Sequence, residues 1–70
     1  YYTVQVGSFS DANNAKNIVR ELVSKGYDAY MEESDAKMYR VKVGKYRTRQ
    51  EAVLMEARLS GQGYPTKICP

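Results

Sequence analysis

Glu32 and Glu33 form the one adjacent pair of acids in the sequence. Paired carboxylates hydrolyse glycosidic bonds when they stand about 5–9.5 Å apart across one cleft. Neighbours on a strand point to opposite faces, so these two do not converge on a common substrate. With Ser34 and Asp35 following, the stretch reads as a solvated turn. Ser8 is a hydroxyl without a base: the 70 residues contain no His, which removes Ser-His-Asp and Cys-His machinery. The single Cys, Cys69, excludes an intrachain disulfide and a structural zinc site. No metal, cofactor or catalytic residue is therefore expected.

What remains is the chemistry of binding. Gln5, Arg40 and Lys42 donate hydrogen bonds, Tyr30 offers a flat ring, and Met38 an adaptable apolar surface. That mixture suits a polar polymer, such as a glycan strand or a single-stranded nucleic acid. The same residues also serve as the ordinary solvated face of a half-exposed sheet. A formal net charge of +3 allows an anionic partner without demanding one. No apolar run approaches the about 20 residues of a membrane span. The sequence starts at Tyr1 rather than Met and reads as a piece of a longer protein.

These side chains need elements to position them, and the sequence supplies the elements twice. Tyr2-Thr-Val-Gln-Val-Gly-Ser-Phe-Ser returns 37 residues later as Tyr39-Arg-Val-Lys-Val-Gly-Lys-Tyr-Arg. At the same offset Ala15 meets Ala52, Leu22 meets Leu59, Gly26 meets Gly63, Tyr27 meets Tyr64, and Met31 meets Ile68. Two copies are too few for a solenoid, so residues 1–70 are expected to form one pseudo-symmetric domain, with units of about residues 2–31 and 39–68.

Each unit reads strand, helix, strand. Tyr2, Val4 and Val6 alternate with Thr3 and Gln5, as Tyr39, Val41 and Val43 alternate with Arg40 and Lys42; period two predicts half-buried strands closed by Gly7 and Gly44. Asp11 is a suitable N-cap for a helix from Ala12 to about Lys25, with Ala12, Ala15, Ile18, Val19, Leu22 and Val23 as its apolar stripe and Gly26 as its stop. Thr48 and Glu51 form a capping box for a second helix to about Ser60, with Ala52, Met55 and Leu59 inward. Tyr27–Glu32 and Tyr64–Cys69 read as strands two and four, the latter at an edge because of Pro65.

The order β-α-β-β-α-β predicts an α+β, ferredoxin-like fold: a four-stranded antiparallel sheet with both helices on one face. Thr3, Gln5, Arg40 and Lys42 then line the open face, joined by Met38 through parity. Met31 and Ile68 fall inward by the repeat, leaving Tyr30 and Lys67 outward.

Val4-Gln5-Val6-Gly7-Ser8-Phe9, then Ala15, Leu22, Gly26-Tyr27 and Tyr39-Arg40-Val41-Lys42-Val43-Gly44, resemble the SPOR domain over essentially the whole chain. The resemblance implies a bacterial cell-envelope module, periplasmic or extracytoplasmic. Such a module binds peptidoglycan glycan strands stripped of stem peptides by amidases and recruits its parent protein to the division septum. It implies ligand contacts along the open face at Gln5, Ser8 and Arg40, with Met38 where some members carry a stacking Trp and Tyr30 as a candidate replacement; Lys42, outward by parity, is counted with them. Ile68 matches a last-strand position that touches ligand in some members, although the repeat places it in the core. Some members join strands one and four by a disulfide; here Cys69 has no partner and the first-strand position is Val6, so Cys69 is read as a half-buried packing residue. Phe9 is read as core.

The runner-up is a single-stranded nucleic-acid binder like the RNA-recognition motif, which uses the same strand order and the same open face. That motif needs aromatics outward on strands one and three, whereas Tyr2 and Tyr39 share the apolar face here. Nucleic acid is thus not the expected partner, and a monomer is expected. A regulatory or protein-interaction module on the same fold is the third reading.

Overall fold

Alternating valines build the centre of the molecule. The computed structural model describes residues 1–34 and 37–70. Its elements are β1 (Tyr2–Phe9), α1 (Ala12–Ser24), β2 (Ala29–Glu33), β3 (Tyr39–Tyr46), α2 (Arg49–Gly61) and β4 (Lys67–Cys69). The strands form one antiparallel sheet in the order β2-β3-β1-β4, the ferredoxin-like arrangement. Val4, Val6, Val41 and Val43 from the two central strands, Ala15 and Leu22 from α1, and Ala52 and Leu59 from α2 make the buried core. The set is closed under the 37-residue offset: every core residue has its repeat partner in the core. Burial of each Val or Leu contributes about 1.5–3 kcal/mol.

The helices start as their sequences dictate. The Asp11 carboxylate accepts the Asn13 N–H at 2.8 Å, and Thr48 Oγ1 accepts the Glu51 N–H at 3.3 Å. Glu51 completes the box through its side chain: its carboxylate accepts the Thr48 hydroxyl at 3.3 Å. Both helices end on a left-handed glycine, Gly26 and Gly63, each at φ +92°. Beyond each glycine, the Tyr27 N–H returns to Leu22 O at 3.0 Å and the Tyr64 N–H to Leu59 O at 3.2 Å.

Four expectations are corrected. Tyr27 and Tyr64 do not begin strands, because their N–H groups close the helix caps; β2 starts at Ala29 and β4 at Lys67. Val23 is 53% exposed, since it lies one residue round the helix from Leu22 and past the edge of the sheet-facing stripe. Glu32 and Glu33 belong to β2 rather than to a turn, and they pair with Arg40 and Tyr39; Asp35 of that reading lies outside the described residues. Gly7 and Gly44 do not close their strands but lie inside them, at irregularities of the β1–β3 ladder.

Those irregularities reset the alternation. Gln5 pairs with Lys42 but Gly7 with Val41, so Val6 is an extra residue on β1; on β3, two residues separate Val43 from Tyr46 where β1 has only Thr3. Val4 and Val6 face inward, and so does Phe9; Val41 and Val43 face inward, and so does Tyr46. Each aromatic ring folds back over its glycine. A Cβ on Gly7 would stand 2.8 Å from the Phe9 ring, and one on Gly44 would stand 2.7 Å from Cε2 of Tyr46. Gly44 is also left-handed, at φ +70°.

Candidate functional site

The bulges decide which residues reach the open face. Because Phe9 packs on the core, Ser8 faces away from it, beside Arg40. Because Tyr46 packs on the core, Lys45 faces away as well. Across mid-sheet the ladder places Tyr30, Lys42, Gln5 and Lys67 in one row spanning all four strands. Glu32, Arg40 and Ser8 form a second row towards the β2–β3 turn.

Contacts within these rows assign a state to each side chain. Lys42 Nζ donates to Glu32 Oε1 at 3.1 Å, diagonally across the strands, and only 13% of the Lys42 side chain is exposed. Lys42 is therefore a half-buried, neutralised cation. Its diagonal bond leaves Arg40, which pairs with Glu32 along the ladder, exposed and without an ion pair among the described residues. The Tyr30 hydroxyl donates to the Gly44 carbonyl at 3.3 Å, and burial pushes its phenol pKa up. Its ring is thus held neutral on the sheet, beside Lys42. Gln5 Oε1 accepts the Cys69 thiol at 3.6 Å, which leaves the Gln5 amide N–H groups to point elsewhere.

The sequence-predicted residues fall as follows. Gln5, Ser8, Arg40, Lys42 and Tyr30 come together on the open face. Met38 is half-buried, one residue before β3; its N–H donates to Ser34 Oγ at 3.3 Å, and it is not among the apolar residues packed on the core. Ile68 is placed differently. It pairs with Val4 and packs against the core, so it belongs to the covered side of β4. Three residues of the face were missed: Glu32, as the partner of Lys42, Cys69, as the neighbour of Gln5, and Lys45, turned outward by the irregularity at Gly44. The repeat carried these signals, because Glu32 and Cys69, like Ser8 and Lys45, occupy equivalent positions 37 residues apart.

Comparison with known proteins gives this fold a family. The SPOR domain model matches residues 1–68. The chain belongs to the SPOR domain family. A SPOR domain is a binding module, not an enzyme. Among solved structures, the peptidoglycan-binding domain of the Bacillus subtilis cell wall lytic enzyme CwlC is similar at TM-score 0.86 and 26% identity, over 97% of this chain and 85% of that one. A Burkholderia pseudomallei protein described as exported is similar in fold, at TM-score 0.78 and 20% identity, over 99% of this chain but 15% of that one. Comparison with curated proteins returns no match.

Proposed function

We propose that this SPOR domain is a non-catalytic module that binds peptidoglycan and prefers glycan strands stripped of stem peptides. The supporting observation is the open face itself: Gln5 and the Ser8–Arg40 pair present donors on successive outward rungs of the β1–β3 ladder, without side-chain donor contacts among the described residues, beside the Tyr30 ring. Sugar hydroxyl and acetamido groups take such donors, and a flat ring covers a sugar face. The peptidoglycan-binding function of the similar CwlC domain supports the same reading. In this reading the domain works as a monomer in the bacterial cell envelope, outside the cytoplasm. It gathers its parent protein at the division septum, where peptide-free strands accumulate.

The nucleic-acid reading is disfavoured by Tyr2 and Tyr39, which pack on the core rather than stand on the open face. The deciding experiment is a pull-down with native and amidase-treated sacculi. Enrichment on the treated material is expected; absence from both pellets overturns the proposal.

A further inference from the structure

The charge of this chain is not spread evenly. The outward positions of the four strands carry the cations Arg40, Lys42, Lys45 and Lys67 and the anion Glu32. The rest of the sequence holds seven cations and seven anions, so the whole net charge of +3 belongs to the open face. The Lys42–Glu32 pair cancels internally, at 3.1 Å. Arg40, Lys45 and Lys67 remain: all exposed, none with an ion-pair partner among the described residues, and standing on β3 and β4 on either side of β1. Strands β3 and β4 are two strand spacings apart, or about 10 Å.

An uncharged sugar polymer gives no reason for that concentration. Removing a stem peptide does. Hydrolysis of the amide that joins a peptide to the sugar leaves a carboxylate on the sugar and carries away the amine. An intact stem caps this group as a neutral amide and adds bulk beside it. We propose that Arg40, Lys67 and Lys45 recognise the sugar carboxylates exposed by stem-peptide removal, so that the face reads the absence of a stem as a positive charge–charge contact. Arg40 is suited to the closest contact because its planar guanidinium meets a carboxylate through two parallel N–H bonds. Lys67 and Lys45, on flexible stems, act as point charges at two further positions along the strand. The inference rests on the peptide-free glycan reading and supplies its selectivity.

The test changes the ligand rather than the protein. Amidase-treated sacculi are used as they are, or after carbodiimide coupling to ethanolamine, which turns each carboxylate into a neutral amide. Binding is expected to fall several-fold on the blocked material. On unblocked material R40Q and K67Q should each weaken binding by about two- to fivefold, as expected for exposed ion pairs. On blocked material both variants should match the parent chain, and K16Q, an exposed change on α1, should have no effect on either. Equal binding to blocked and unblocked material overturns the carboxylate contact while leaving the glycan reading intact. Absence from both materials overturns the glycan reading and this inference together. A steep loss with salt, together with competition by a single-stranded oligonucleotide, would assign the charged face to nucleic acid instead.

Discussion

Gln5 and Lys42 face each other across β1 and β3, and they are also each other's counterpart in the internal repeat. The pseudo-two-fold axis of the domain therefore passes between them, through the middle of the open face. Tyr30 and Lys67, the outer members of the same row, are counterparts as well. The centre of the candidate site is the centre of symmetry of the fold.

Substitution at that centre should separate binding from folding. Gln5→Ala and Arg40→Ala remove outward donors and no core contact. Each should weaken binding to amidase-treated sacculi by about two- to tenfold, the worth of one hydrogen bond. Thermal melts of both variants should overlay that of the parent chain. A collapsed melt would show that these side chains support the sheet.

The two bulge glycines should tolerate substitution unequally. Gly7→Ala drives a Cβ to 2.8 Å from the Phe9 ring, which costs about 1–3 kcal/mol in overpacking. Gly44→Ala meets the Tyr46 ring in the same way and in addition sits at φ +70°, so its cost should reach about 2–4 kcal/mol. Urea denaturation orders them. A double-mutant cycle adds a sharper check: Phe9→Ala should abolish most of the Gly7→Ala penalty, because the ring is what the new methyl meets.

Tyr64 ties the two helix ends together. Its hydroxyl donates to Glu21 Oε1 at 2.6 Å and accepts from Lys25 Nζ at 3.1 Å, while the counterpart Tyr27 accepts from Gln62, the counterpart of Lys25. The Tyr64 hydroxyl, followed by Lys25, holds the Glu21 carboxyl below the usual carboxylate range. In Tyr64→Phe that carboxyl should move back up, as read by carbon-13 NMR titration of Glu21. An unmoved titration would place the cause in Lys25 alone.

High pH should weaken the fold through two of its tyrosines. Burial raises the phenol pKa of Tyr30 and Tyr46 above the ordinary value. Unfolding releases both phenols to ionise near pH 10, so the unfolded state gains stability by losing protons there (about 10 is the ordinary phenol value). The contribution of these two groups is complete below that pH and fades as pH climbs through their folded values. Phenolate absorbance of the parent chain minus that of Tyr30→Phe, or of Tyr46→Phe, should place each of the two phenols above the ordinary value. A difference curve at the ordinary phenol value while the fold persists would contradict the burial.

Much of this molecule is written in local pattern. The core valines follow from alternation, the helix starts from Asp11 and Thr48, and the helix stops from Gly26 and Gly63. The outward placement of Gln5, Arg40 and Lys42 follows from the same alternation. What escaped was less local. A glycine after an alternating run reads the same whether it ends a strand or lies at a bulge, and only the ring two residues on distinguishes the cases. Phe9 and Tyr46 needed glycine beneath them, so β1 and β3 continue and shift parity. Tyr27 and Tyr64 look like strand residues by type, but the helix caps claim their N–H groups first. The Lys42–Glu32 bond depends on a diagonal between strands, which single-strand parity cannot express.

The axis between Gln5 and Lys42 has a consequence for any polymer that lies on the sheet. A glycan strand has two unlike ends, but a two-fold backbone presents the same track in both directions. The fold by itself is blind to which end leads. Polarity must come from positions where the repeat has diverged: Gln5 against Lys42, Tyr30 against Lys67, Ser8 against Lys45, Thr3 against Arg40, Cys69 against Glu32. Every one of these differences lies on the open face, whereas the buried core pairs Val with Val, Leu with Leu and Ala with Ala. The interior has kept its symmetry, and the open face has acquired a direction.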